Sequence, residues 1–169
     1  MMHEDGYTFT RDDFVQMLAR KWFPERTDRE SGVIRDYLAA HHQEFDRFTF
    51  SRRVGQGVAP NPEHLKGVQR NTVFSSRKRI DILAFTGAHP TLIEVKERVT
   101  PASLGQVLTY RALYLEEQPD SDEPTLVVVG RESDPDTIAS LQNYGVTVYL
   151  YPAAEAASGT ERAEGFRTG

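Results

Sequence analysis

The sequence predicts a single-domain α/β protein with a central mixed β-sheet flanked by helices and an extra N-terminal helix. Three observations predict it. The chain has 169 residues, 38% hydrophobic and 27% charged, enough for one sizeable core. Its patterned segments run as helices, then strands, then helix–strand–helix–strand, which is the order of a mixed sheet. "TLVVVG" is a short continuous apolar run of the kind buried on both faces of a sheet. Residues 1–26 read as a helical extension, 27–151 as the core domain and 152–169 as a flexible tail.

The elements follow in order. "TRDDFVQMLARKWF" is a helix capped by Thr10, with Phe14, Met17, Leu18 and Trp22 at helical spacing and Pro24 ending it. Thr27 opens a second helix whose face is Val33, Ile34, Tyr37, Leu38 and His41. "RFTFSRRV" alternates like a strand, and the Gly- and Pro-rich "GQGVAPNPEHLKG" reads as an exposed loop. "RIDILAFTGAHPTLIEVKERV" is a hairpin turning at Gly87–Ala88. Thr100 and Pro101 begin a helix through "ASLGQVLTYRALYLEE". "TLVVVG" is a strand, Asp134–Pro135 starts a helix stopping near Gly145, and "VTVYLY" is the last strand. After Pro152 the chain is almost without apolar residues and reads as a mobile tail.

Composition excludes several classes of function. The chain has no cysteine, so disulfides, thiolate metal sites and a cysteine nucleophile are ruled out. No apolar run approaches the roughly 20 residues of a membrane span, and the N-terminus lacks a signal-peptide pattern. The expectation is a cytoplasmic protein that does not engage membranes. His41-His42 lacks zinc-motif spacing, Gly55-Gln56-Gly57 lacks a P-loop lysine, and Ser103 has no adjacent histidine. The net charge of −5 hides an uneven distribution: residues 47–79 hold eight Lys/Arg against Glu63 alone, a net +7. Such a stretch attracts polyanions, although a solvated basic loop has the same composition.

The hairpin places charge where apolar residues are expected. With Gly87–Ala88 at the turn, Asp81 stands opposite Glu94, Leu83 opposite Leu92, and Arg79 opposite Lys96. Asp81, Glu94 and Lys96 share one face, while Ile80, Ile82, Ala84, Ile93 and Val95 share the other. Opposed residues have Cβ atoms ~4.5–5.5 Å apart, and like charges there are destabilising. A divalent cation taking oxygen ligands would compensate them. A solvent-facing sheet surface is the plain alternative, but the hairpin's Ile, Leu and Val content favours a central, partly buried group.

Asp81, then twelve residues, then Glu94-Val95-Lys96 on the next strand resembles the PD-(D/E)XK nuclease superfamily. The likeness is nearest to RecB-type nuclease domains and archaeal Holliday-junction resolvases, and covers roughly Thr27 to Tyr151. Gln106 and Tyr110, four residues apart on the following helix, match the Gln and Tyr often found there. Ile80 departs from the pattern, which has proline before the aspartate. The resemblance implies a restriction-endonuclease-like core (αβββαβ) and a metal-dependent deoxyribonuclease. Asp81, Glu94 and the Val95 backbone carbonyl would hold Mg²⁺ or Mn²⁺, Lys96 would orient the attacking water, and Gln106 and Tyr110 would support the site. Glu30 is a candidate further ligand, yet Thr27-Asp28-Arg29-Glu30 is equally a helix capping box.

DNA is the expected partner. Arg52, Arg53, Lys66, Arg70, Arg77, Lys78 and Arg79 are the candidate phosphate contacts, predicting salt-sensitive, largely sequence-independent affinity. Residues 55–71 and Phe74 offer a contact for a single strand or junction, although Phe74 reads better as core. Cutting a junction would require a homodimer. The competing function is a DNA-binding or assembly protein that keeps the fold without turnover.

Overall fold

Apolar runs and alternating segments in the middle of the chain assemble into one six-stranded mixed sheet, ordered β1-β2-β3-β4-β5-β6. The strands are β1 (Tyr7–Thr10), β2 (Arg47–Val54), β3 (Lys78–Thr86), β4 (His89–Val95), β5 (Thr125–Gly130) and β6 (Val146–Leu150). The helices are α1 (Arg11–Leu18), α2 (Asp28–His41), α3 (Lys66–Ser76), α4 (Pro101–Glu117) and α5 (Pro135–Asn143). This computed structural model describes residues 6–19, 23 and 25–153. Trp22, Pro24, residues 154–169 and the side chains of Phe14 and Met17 lie outside the described residues.

β1 to β4 pair antiparallel, whereas β4, β5 and β6 run parallel. Parallel neighbours need a crossover, and α4 and α5 supply the two that are required. The element order α2-β2-β3-β4-α4-β5 is the one expected of the core, with α3 inserted between β2 and β3.

Both sheet faces are covered. On one face α2 contributes Val33, Ile34, Tyr37 and Leu38, packed with Phe48, Phe50, Ile82, Ile93, Val127 and Val129. On the other, Val107, Tyr110 and Tyr114 of α4 and Leu141 of α5 pack with Leu83, Leu92, Leu126 and Val128. Consecutive residues of β4 and β5 therefore enter opposite cores, which is why their sequences are continuously apolar.

The helix ends follow their sequence signals. Thr27 and Glu30 form a reciprocal capping box at α2, and Asp134 accepts from the backbone N–H of Thr137 at 2.8 Å. Thr10 caps α1 as expected, with Asp13 N–H donating to its hydroxyl and the Thr10 hydroxyl donating back to the Asp13 carboxylate at 2.7 Å.

Two elements were not foreseen. β1 is a four-residue edge strand immediately before α1. α3 overturns the latter part of the loop read at residues 55–71: the loop ends at Leu65, and no residue of α3 is buried. A helix without a buried stripe leaves no apolar period in the sequence.

The hairpin register is the predicted one from Thr86↔His89 through Leu83↔Leu92 to Ile82↔Ile93, where the β3–β4 ladder ends. At its turn Gly87 takes a φ of +59°, and its N–H donates to Asp46 at 2.7 Å. One facial assignment is corrected. Ile80 packs with Val54 in the core under α4, not with Ile82 and Ala84. The reason is a kink beside Asp81: β2 pairs Phe50 with Ile82 and then Arg52 with Ile80, and Ser51 between them has a φ of +58°. Strict alternation fails across such a step.

Candidate active site

The kink and the end of the hairpin ladder meet at Asp81. Its Oδ2 accepts from the Val95 backbone N–H at 2.9 Å, so a side chain stands where the next ladder partner would be. This fixes the carboxylate beside β4, where Glu94 is 1% exposed and Asp81 itself 3%. Period-two alternation brings Lys96, just past β4, to the side of Glu94. Its Nζ lies 2.6 Å from Glu94 Oε1 while the lysine side chain keeps 28% of its surface exposed. The predicted trio is therefore assembled, with two members buried and the lysine reaching in from solvent.

α4 covers the other side. The N-cap pairing of Thr100 with Ser103 starts this helix directly after the Lys96 strand end. One turn apart, Gln106 Nε2 donates to Tyr110 Oη at 3.3 Å. Burial pushes the Tyr110 hydroxyl up to about 12, and the Glu94 and Asp81 carboxylates push it in the same direction. Tyr110 thus lies within the electrostatic reach of both acids, and Gln106 meets Tyr110 through that hydrogen bond.

The electrostatics of Glu94 are unusual for a carboxylate. Burial first and the Asp81 charge second push it up to about 8, with Lys96 and Arg26 pulling the other way. Its Oε2 is buried and has no hydrogen-bond partner. An orphaned buried acceptor costs ~1–3 kcal/mol, and the fold carries that cost at the position the sequence singles out.

Arg26 is the member sequence reasoning missed. Its side chain is 3% exposed, and Nη2 lies 2.5 Å from Asp81 Oδ1. That is a charge contact without hydrogen-bond geometry, and Arg26 Nε is also buried without a partner. Nothing in "PERTDRE" marks this arginine, because a charge before a capping box reads as solvated. The long-range packing of the segment before α2 against β3 places it.

Glu30 stays at its cap. Its Oε2 accepts from the Thr27 N–H and hydroxyl, each at 3.1 Å. Among the described residues no three His, Asp or Glu side chains come together as a ligand cluster. Asp81 and Glu94 are the acidic pair that could hold a cation.

The predicted phosphate contacts divide into two groups. Glu25 pairs with Arg53 at 3.2 Å and Arg79 at 3.0 Å. The β3–β4 ladder ends at Ile82↔Ile93, short of the predicted pairing of Arg79 with Lys96, and the ladder partner of Arg79 is Arg53 on β2. Glu117 pairs with Arg77 at 3.0 Å and Arg52 at 3.9 Å. Arg77 further donates to the carbonyls of Gly55 at 2.6 Å and Arg53 at 3.3 Å, tying the loop before α3 to the sheet. Lys66, Arg70 and Lys78 are exposed and have no acidic partner among the described residues. Phe74 is not core: it is half-buried, with the Arg53 guanidinium 4.9 Å from its ring centroid.

No protein-family model, curated protein or solved structure matches the chain. Among the described residues no helix is long and apolar enough to cross a membrane. The case for a function accordingly rests on the site.

Proposed function

We propose that this chain is a cytoplasmic, metal-dependent deoxyribonuclease of the PD-(D/E)XK type, hydrolysing DNA phosphodiester bonds with little regard to base sequence. The observation that carries the proposal is Glu94: buried, carrying an unpartnered Oε2, beside a second buried carboxylate and 2.6 Å from a lysine. A structural ion pair has no need of the second acid, and a plain sheet surface has no need of the burial. The orphaned oxygen and its neighbour Asp81 suit a hard divalent cation such as Mg²⁺ or Mn²⁺. Asp81, Glu94 and the Val95 carbonyl would hold it. When bound, such an ion activates water and offsets charge on the scissile phosphate.

The chain's own groups do the rest. Lys96 holds the attacking water by donating to it and favours its ionised form through its positive charge. Gln106 presents its amide to water or a phosphate oxygen, with Tyr110 fixing its orientation through their hydrogen bond. Arg26 and the Val95 N–H hold the Asp81 carboxylate in place. Lys66, Arg70 and Lys78 neutralise phosphates and set the salt dependence. A homodimer enters the proposal only for a four-way junction, which needs two sites.

A specific observation favours the second reading, a DNA-binding or assembly protein without turnover. Arg26 already balances Asp81, and Glu25 already offsets half the charge of Arg53 and Arg79. One experiment separates the two. Labelled duplex, single-stranded, flap and junction DNA are incubated with Mg²⁺ or Mn²⁺, with EDTA and Lys96→Ala as controls. The nuclease reading expects metal-dependent cutting that Lys96→Ala abolishes. Binding without cutting moves the conclusion to the second reading, and neither binding nor cutting overturns both.

A further inference from the structure

We propose that the cleft against α3 holds an unpaired nucleotide, so that DNA with a single-stranded segment next to the scissile bond is the substrate class of this site. The inference rests on the nuclease reading for its substrate, but not for its binding chemistry. The cleft has a volume of about 700 Å³ and is lined by Lys66, Gln69, Arg70, Val73 and Phe74, with Pro60 and Arg77 at its margins. That size suits a base with its sugar and phosphate, being within the ~300–1,000 Å³ of small-ligand sites.

The surroundings are unlike the rest of the surface. α3 buries none of its own residues. Of the four exposed large apolar residues among those described, three (Val58, Leu65 and Val68) lie on this helix and the loop leading to it. None of these three lines the cleft, whose apolar lining is Pro60, Val73 and Phe74, and the charge around that lining decides what it binds. Lys66 and Arg70 stand exposed at the cleft in a segment of net +7, within a chain of net −5. The fitting partner is a polyanion that also carries flat apolar faces at short intervals. A single nucleic-acid strand is such a polymer, its bases open to stacking on Phe74 and its phosphates to Lys66 and Arg70. A duplex is not, because its bases are already stacked on one another.

The cleft also leads to the carboxylates. Phe74 lies under Arg53, Arg53 shares Glu25 with Arg79, and Arg79 is two residues from Asp81. A strand lodged at α3 would pass Arg53 and Arg79, whose charge Glu25 offsets only in part, toward Asp81.

The test is fluorescence anisotropy in EDTA, where nothing is cut, with a labelled oligothymidylate and a blunt duplex of equal length. Phe74→Ala is expected to weaken single-strand binding about tenfold and duplex binding less, since stacking is lost only for unpaired bases. Phe74→Tyr is expected to retain the wild-type ratio. Lys66→Glu with Arg70→Glu, both exposed and outside the core, is expected to flatten the single-strand salt slope by about 1–2. An unchanged single-strand to duplex ratio in a folded Phe74→Ala, or an unchanged salt slope in the charge variant, overturns the proposal. So does polyglutamate competing as well as oligothymidylate, which would make the cleft a site for acidic protein. These effects in a protein that never cuts keep the cleft and remove the nuclease. Cutting with no such effect does the reverse.

Discussion

Glu94→Gln tests the site through stability alone, without substrate. In the metal-free protein Glu94 is 1% exposed, and burial first and the Asp81 charge second raise it to about 8 from an ordinary value of 4.5. The folded chain thus holds this proton more tightly than the unfolded chain. The stabilisation is complete below 4.5 and lost as pH rises through the folded value, at up to ~1.4 kcal/mol per pH unit. Across that window the ceiling is roughly 5 kcal/mol. Lys96, partly solvated at 2.6 Å, and an effective dielectric near ~20 reduce the expected loss to about 1–3 kcal/mol. Glutamine keeps the shape and never ionises. Urea denaturation in EDTA from pH 5 to pH 9 is therefore expected to show the two proteins matched near pH 5. At pH 9 the variant is expected to be ahead by ~1–3 kcal/mol, or very roughly 1 M in midpoint. Magnesium at high pH is expected to narrow the gap by stabilising wild type alone. Parallel pH profiles, or a variant less stable at pH 9, would refute the reasoning: Glu94 would then be a satisfied carboxylate and not a strained ligand.

Three further outcomes are expected. Glu30→Ala removes half of the α2 capping box and is expected to cost ~1 kcal/mol in thermal or urea melts while leaving DNA cleavage intact; loss of cleavage would restore it as a ligand. Arg77→Ala, which severs two backbone carbonyl contacts and the Glu117 pair, is expected to destabilise by about 1–3 kcal/mol, against less than ~0.5 for exposed Lys78→Ala. Glu25→Gln, which releases Arg53 and Arg79, is expected to tighten DNA binding several-fold at low salt and to steepen its salt dependence; unchanged binding would show that those arginines do not meet phosphate.

How much of this was legible depended on how local each cause was. The hairpin register could be written from the chain as far as Ile82↔Ile93, because a glycine turn and two alternating strands fix it together. The expected pairs Asp81–Glu94 and Arg79–Lys96 lie beyond the end of the ladder. α4 and α5 were legible from their caps, β5 from an apolar run buried on both faces, and β6 from its short run of β-branched and aromatic residues. α3 was not, because a helix that buries nothing leaves no stripe. The reassignment of Ile80 was not either: it follows from a left-handed φ at Ser51, a residue type that gives no sign of it. Arg26, Glu25 and Glu117 were illegible for a third reason. Each looks like an ordinary surface charge, and only the folded chain reveals which opposite charge it meets.

Those three residues change what the charge distribution means. From the sequence, the excess of arginine before Asp81 looks like a surface prepared for phosphate. In the fold, Glu25 and Glu117 pair with four of those arginines and offset half of their charge. Under the proposed function, Lys66, Arg70 and Lys78, on α3 and at the start of β3, are the predicted phosphate contacts without an acidic partner among the described residues. Inside the site the balance runs the other way. Two buried carboxylates face one buried guanidinium and one half-solvated lysine, with an acceptor on Glu94 and a donor on Arg26 left unpaired. A fold selected for stability alone would replace such a group with packed apolar side chains, often at no loss or at a gain. Among the described residues the buried side-chain atoms without a hydrogen bond are all on Arg26 and Glu94, while the sheet around them is apolar on both faces. Unsatisfied polarity held inside an otherwise apolar core costs stability, and a bound cation at Asp81 and Glu94, as proposed, would remove that cost.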